Sequence, residues 1–507
     1  MSRPPAGKWL VTVSIAFGSL MATIDSSIVN VAVPVLRGEL GASITSITWI
    51  SVAYMIAMVL VMPLTGFLGA FFGQKRLYLA SLVVFVAGSA LCGTARSLEA
   101  LILWRVVQGL GGGALQPTQM AILRQTFPPR EQGMAMAVYT MVILVGPAVG
   151  PVLGGWLTDN YSWPWIFYIN LPVGLLGIFM TWRNVHEPED VRVANRARAD
   201  IQRRHMDWAG IALMAVGVAA LQYCLEQGPE EDWFQSGAVT LAAFLAVFGL
   251  AAFVIRELTA TAPVVNLRLF RDRAFAASTL VGMATMAMLM GSMFLLPVFM
   301  QELQGLPATD AGLALLPRTL AMMVVSPLIG RYYNRIGPAP IIAVGVGLFM
   351  IGSWQLGHVT ALTATDDLIV PLALTGAGLA CLFVPLATAA LASIPRPLLA
   401  DATGLNNFLR QIAGSMGLTV FATLFTRYAA TARSGLADQV SVLRPEVAGA
   451  ARAAAAAVAR EGSVIGFDRT FLLQAVMFLF LLPLLFFLRT PRGAGSAPPA
   501  AIHVAVE

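Results

Sequence analysis

Asp25 is a carboxylate set in a long apolar run, KWLVTVSIAFGSLMATIDSSIVNVAVPV (8–35), and it poses the first chemical question. An ionised side chain at the centre of a membrane helix costs roughly 2.5–3.5 kcal/mol on insertion scales, so its presence needs a reason. At helical spacing Asp25 shares a face with Ser14, Gly18, Met21, Val29 and Ala32. Small neighbours point to a close-packed or cavity-lining face rather than to lipid. Burial disfavours the charged form of a carboxylate, so such a group can trade a proton near neutral pH. The alternative is an acid permanently paired with a cation. Arg105 lies in another apolar run, with Gln108, Gly109, Gly112 and Gln116 along one stripe. A polar stripe of this kind should face a water-filled cavity or another helix. Arg410 has a comparable setting beside Asn406, Asn407, Gly414 and Gly417. Arg318 has fewer polar companions and is expected to snorkel to the outer surface.

Two further stripes carry shape rather than charge. Met283, Met286, Met290 and Met293 share one helical side with Phe294 alongside, and methionine surfaces adapt to ligands of differing shape, though they also serve plain packing. VGPAVGPVLGG (145–155) places Gly146, Pro147, Gly150, Pro151, Gly154 and Gly155 in one span. Glycine lets helices approach closely and proline bends the axis, which suits a hinge or seal.

The elements that hold these residues follow from composition. The chain has 507 residues, of which 58% are hydrophobic and 11% charged, and soluble domains carry about 25% charged residues. Spans of roughly 20 apolar residues cross a bilayer as helices, and fourteen are expected: 10–33, 46–67, 77–95, 98–121, 132–157, 165–183, 208–225, 237–256, 274–299, 311–330, 340–358, 368–391, 404–427 and 470–488. No run alternates like a barrel strand. Cys92, Cys224 and Cys381 are far apart and the four histidines are scattered, so neither a disulfide framework nor a metal site is expected. The net charge of +6 is small for this length, which argues against nucleic-acid binding. The first apolar run reads as a retained span rather than a cleaved leader.

An internal repeat organises the spans. PLTGFLGAFFG (63–73) and PLIGRYYNRIG (327–337) share Pro, Leu and two Gly at matching positions, each at the end of an apolar run. Duplicated halves are common in transporters. The expected domains are a six-helix bundle (1–183), a basic linker (184–207), an inserted helix pair (208–256) and a second six-helix bundle (257–490), followed by a disordered tail (491–507). Arginine and lysine crowd alternate loops, which places both termini on the cytoplasmic side under the positive-inside rule. An outside loop at 428–469 carries five arginines against that trend, and its Ala-rich stretch 449–460 should be helical.

Taken together, these residues resemble the major facilitator superfamily, specifically its fourteen-helix drug:proton antiporters of the EmrB/QacA type. GPVLGG (150–155) is similar to the superfamily's antiporter motif, and LWRVVQGLGGG (103–113) to its fourth-helix motif, in which Arg105 stands as the basic residue linked to proton coupling. MATIDSSIVNVAVP (21–34) resembles the first-helix motif, with Asp25, Asn30 and Pro34 in place. WPWIFYINLPVG (163–174), LQYCLEQGPEEDWF (221–234) and PVVNLRLFRDRAF (263–275) resemble the EmrB branch. The gating loop, with Gly66, Gly73, Lys75 and Arg76, departs from the pattern: Ala70 and Phe71 stand where the family has an acid and a base, so the usual charge relay cannot form there, which implies altered gating rather than lost transport.

The resemblance implies proton-driven export of hydrophobic compounds across the cytoplasmic membrane, with no cofactor beyond the proton gradient. It also implies a periplasmic adaptor, for which the 428–469 loop is a contact surface, and an outer-membrane channel. It makes Glu226 an outer proton port, or else a solvated loop acid. Expected cavity residues are Asn30, Gln108, Gln116, Met286, Met290, Phe294, Asn406, Asn407 and Arg410. A dedicated exporter of one metabolite, such as an antibiotic or siderophore, is the competing reading. No catalytic cluster of an enzyme is visible.

Overall fold

The computed structural model describes residues 7–204, 206–260, 262–360, 363–443 and 451–484. Among them there are helices and no strand. The first half comprises α1 (Gly7–Glu39), α2 (Ile44–Ile47), α3 (Trp49–Val61), α4 (Thr65–Phe72), α5 (Gln74–Gly93), α6 (Leu98–Thr126), α7 (Gln132–Asn160), α8 (Trp165–Tyr168) and α9 (Asn170–Asn184). Then come α10 (Glu189–Arg204), α11 (Trp208–Gln227) and α12 (Gly237–Thr259). The second half holds α13 (Arg273–Val298), α14 (Ala308–Ala314), α15 (Leu316–Ile336), α16 (Pro338–Leu356), α17 (Ile369–Ala390), α18 (Leu399–Leu443) and α19 (Ala451–Leu479).

Among the described residues eleven helices are long and apolar enough to span a bilayer, and a twelfth span forms if α3 and α4 count as one helix bent by 59°. The break falls at Met62–Leu64, where Pro63 cannot donate to the helical ladder. At 1.5 Å per residue the 29-residue helices α6 and α7 run about 43 Å, so the expected fourteen is compatible with these lengths. Helices α11 and α12 pack on each other, with Gly217 against Leu250. Helix α11 also leans on both halves, through Tyr223 against Trp49 and Gln222 against Ser415. The outer side of α12 exposes Leu241, Phe244, Phe248 and Ile255, a surface suited to lipid.

One expectation is corrected. The span 428–469 is not a loop around a separate helix: α18 continues for 45 residues to Leu443, and α19 starts at Ala451 and runs unbroken into the last span. Hydropathy windows mark where lipid ends, whereas the alanine-rich segments go on satisfying the helical ladder beyond that point. Gly462 and Gly466 seat on Arg433 and Ala429, so the two extensions pack as a hairpin. The basic linker 184–207 holds a helix, α10. Its α10 lays Arg198 against Asp401 at the start of α18, with Nη1 and Nη2 donating to the carboxylate at 2.8 and 2.9 Å. Asp401 holds the Arg198 proton more tightly still, against the opposing effect of burial. The tail 491–507 lies outside the described residues.

The repeat has a structural meaning at the end of the bundle that bears the basic loops. Its last glycines, Gly73 and Gly337, have φ/ψ of 88°/143° and 84°/167° and turn the chain directly into α5 and α16. Non-glycine residues avoid that backbone region. Its first glycines, Gly66 and Gly330, each receive the fifth helix of the opposite half. A Cβ on Gly66 would lie 2.7 Å from Asp401 Cα, and one on Gly330 would lie 2.9 Å from the Gly133 carbonyl oxygen. The two halves thus close this end by a pair of related contacts, α4 on α18 and α15 on α7.

Gly337→Ala should cost about 1–3 kcal/mol through backbone strain alone, since nothing lies within 4 Å of its Cβ position. Gly347→Ala, also in open space but inside α16, should be neutral or stabilising. Thermal melting of the two purified variants compares them directly.

Candidate functional site: a buried ion pair in the first half

Glycine brings the fourth span close enough for its polar stripe to meet other helices. On α6 a Cβ at Gly109, Gly111 or Gly113 would lie 2.5 Å from the Tyr54 carbonyl oxygen, 2.5 Å from Phe85 N, or 2.3 Å from the Met58 carbonyl oxygen. Helix α6 is therefore clamped between α3 and α5, and Arg105 is delivered into the interior. Asp25 and Arg105 are 0% and 1% exposed.

Arg105 Nη1 donates to Asp25 Oδ2 at 2.7 Å. Gln108 Nε2 and Asn170 Nδ2 donate to Oδ1 at 2.7 and 2.9 Å. Every contact of the carboxylate is thus with a donor. Arg105 also reaches Gln108 Oε1 at 2.7 Å and the Ile50 carbonyl at 3.2 Å, and its guanidinium lies 4.0 Å from the centroid of the Tyr54 ring. Asn170 is held in turn by Ser89 Oγ at 3.0 Å, and Ser89 donates to the Phe167 carbonyl. Six helices, α1, α3, α5, α6, α8 and α9, meet in one network.

Helix α1 is mounted on α7 through the glycine motif. Gly146, Gly150 and Gly154 abut Thr23, Ser27 and Ile28, and Ser27 Oγ donates to the Gly146 carbonyl at 2.9 Å. Gly155 faces open space. Helix α7 is continuous through Pro147 and Pro151, whose side chains lie outside the described residues, as does that of Asn30.

The remaining candidates sit elsewhere. Gln116 is half-buried one turn before Met120, which Asn407 Nδ2 approaches to 3.8 Å. Asn406 is buried, donates to Thr279 Oγ1 at 3.3 Å, and leaves its Oδ1 without a partner. Arg410 stacks over Phe383 at 4.7 Å beside Gly282, and no carboxylate pairs with it among the described residues. Met286 and Met290 pack over Gly414 on α18, while Phe294 is exposed. Glu226 accepts from Gln222 Nε2 at 2.9 Å at the end of α11. In the gating loop Lys75 Nζ donates to the Trp182 carbonyl at 2.7 Å and Arg76 is exposed. Arg318 does not snorkel: it is 5% exposed, with Nε and Nη2 unpartnered, and Gly376 of α17 presses on its backbone.

The sequence reading missed Asn170, Tyr54 and Ser89 at the pair, and the Arg198–Asp401 bridge. Asn170 had a signal, being a lone amide in an apolar span.

Two helical halves joined by a linker, enclosing a charged network within apolar helices, define a multi-pass membrane transporter. The sequence pattern of the Major Facilitator Superfamily matches residues 15–418, and the chain belongs to that family. It is 34% identical over 499 residues to the multidrug export protein EmrB of Haemophilus influenzae, covering 96% of each chain. It is 32% identical to EmrB of Escherichia coli K12 over 97% of this chain and 98% of the other. It is also 32% identical to the fatty acid resistance protein FarB of Neisseria gonorrhoeae, over 98% and 99%. Among solved structures it is similar to the human organic anion transporter MFSD10, with TM-score 0.64 and 16% identity over 95% of this chain and 100% of that one. The proton:xylose symporter XylE gives TM-score 0.59 and 14% identity over 94% and 96%. These two likenesses establish the fold.

Arg105→Met leaves a buried carboxylate without its cation and should cost about 3–5 kcal/mol. The double variant Asp25→Asn/Arg105→Met should be less destabilised than the sum of the single changes. A thermal-melting double-mutant cycle measures the coupling.

Proposed function

We propose that this chain is a proton-coupled multidrug efflux transporter that exports hydrophobic compounds across the cytoplasmic membrane by alternating access. The observation that carries the reading is the Asp25–Arg105 pair, sealed among the helices of the first half. Support comes also from the similarity to EmrB over nearly the whole chain.

In this reading a proton reaching Asp25 neutralises it and releases Arg105. The freed guanidinium keeps Gln108, the Ile50 carbonyl and the Tyr54 ring as partners, so the exchange does not strand a cation. Helix α1 is then loosened from α6 and can shift along its glycine seam with α7. One proton moving down about 100 mV releases roughly 2.3 kcal/mol, enough for about a fifty-fold gradient of a neutral solute. Glu226 serves as an outer relay for that proton.

Substrates bind between the halves, near Arg410, Asn407, Met286 and Met290. An unpaired arginine beside methionines favours neutral or weakly acidic amphiphiles and repels multivalent cations. A fatty acid, the compound in the name of the relative FarB, has that chemistry. Both termini lie on the cytoplasmic side, and the hairpin formed by α18 and α19 projects outward to meet a periplasmic adaptor that leads to an outer-membrane channel.

Asp25→Asn should abolish efflux driven by a pH gradient in reconstituted vesicles while leaving substrate counterflow measurable. Unchanged gradient-driven efflux would remove Asp25 from the mechanism. Arg410→Gln should weaken transport of acidic amphiphiles about tenfold and that of neutral dyes much less, read as KM in the same vesicles.

A further inference from the structure

The two related contacts at the basic end are not equally filled. At α4 on α18, the Arg198–Asp401 bridge neutralises the seam. At α15 on α7 there is instead a cleft of about 320 Å³ between the halves, lined by Arg124, Gln132, Tyr333, Asn334, Thr388 and Arg396 among others.

Arg124 is 4% exposed. Its Nη1 donates to Gln132 Oε1, its Nε has no hydrogen-bond partner, and no carboxylate pairs with it among the described residues. Across the cleft Arg396 is half-exposed, and its side chain pairs with Asp190 at 3.5 Å. A buried cation with an unmet donor is costly unless an anion completes it. The Gln132 and Asn334 amides are already engaged with carbonyls, those of Arg124 and Phe127 for the first and of Arg130 for the second. That leaves the Arg124 guanidinium to face a guest, with Tyr333 and the exposed Arg396 on the same lining. Several charged and neutral donors around a small space suit a tetrahedral oxyanion, and arginine is the side chain that best matches phosphate.

We propose that this cleft binds a phosphate group, carried by a lipid headgroup or free in solution, which joins Arg124 of the first half to Arg396 of the second. The guest does at this seam what the Arg198–Asp401 bridge does at the other, so its binding favours closure of the basic end.

The full-length protein in detergent should be titrated with inorganic phosphate against chloride at constant ionic strength, with thermal melting as the readout. In a parallel arm, native mass spectrometry should follow retention of phosphatidylglycerol. A saturable rise in Tm, weakened at least tenfold in apparent Kd by Arg124→Gln and by Arg396→Gln but not by the exposed control Arg271→Gln, supports the site. Arginine-dependent effects in the phosphate arm alone assign a free ion, and in the lipid arm alone a headgroup. Should Arg124→Gln fail to fold, Arg396→Gln against Arg271→Gln decides. If neither arm separates the cleft variants from the control, the proposal is overturned.

Discussion

A single carboxylate in a medium that cannot solvate it organises the first half of this protein. Coulombic attraction between unit charges grows as the local dielectric falls, yet removing both from water is expensive, so such a pair survives only when its remaining hydrogen-bonding capacity is met. Asp25 and Arg105 meet that condition with Gln108, Asn170 and the Ile50 carbonyl. An apolar set of similar volume would hold these helices at least as well. In the proposed mechanism the worth of the arrangement lies in its response when one partner changes its charge, at a point where α1 and α6 meet.

Much of this was legible in the residues, for reasons that differ from element to element. Asp25, Arg105 and Gln108 stood out because a polar group in an apolar window is expensive wherever it points. Their pairing could not be read. Arg105 and Arg410 both sit on polar stripes in sequence, and the clamping of α6 by its glycines is what delivers the first to Asp25. Arg318 was expected to escape to the surface, but α17 lies across its backbone at Gly376 and the side chain stays inside. Asn170 was passed over inside a stretch read chiefly for its resemblance. The highly charged linker concealed α10, whose arginine-rich composition says nothing about Asp401, some two hundred residues on.

The repeated skeleton was legible as a duplication but not as a mechanism. Its first glycines admit a helix from the opposite half, and its last ones turn the chain through a conformation closed to other residues. The loop that lacks its usual acid and base at Ala70 and Phe71 is not left without charge nearby. Arg198 from the linker and Asp401 supply an ion pair at the same seam, so a charge lost from the loop is matched by one held on α10.

Helix α18 carries a mechanical consequence. At 45 residues it is about 68 Å long, and one continuous helix carries Asp401 at its foot, Arg410 farther up and Arg433 toward its other end. Were it to pivot about its foot as a rigid body, a ten-degree tilt would carry the tip through about 12 Å. Small rearrangements at the Asp401 seam would thus be magnified at the far end of the helix, where anything resting on the hairpin would feel them as a stroke.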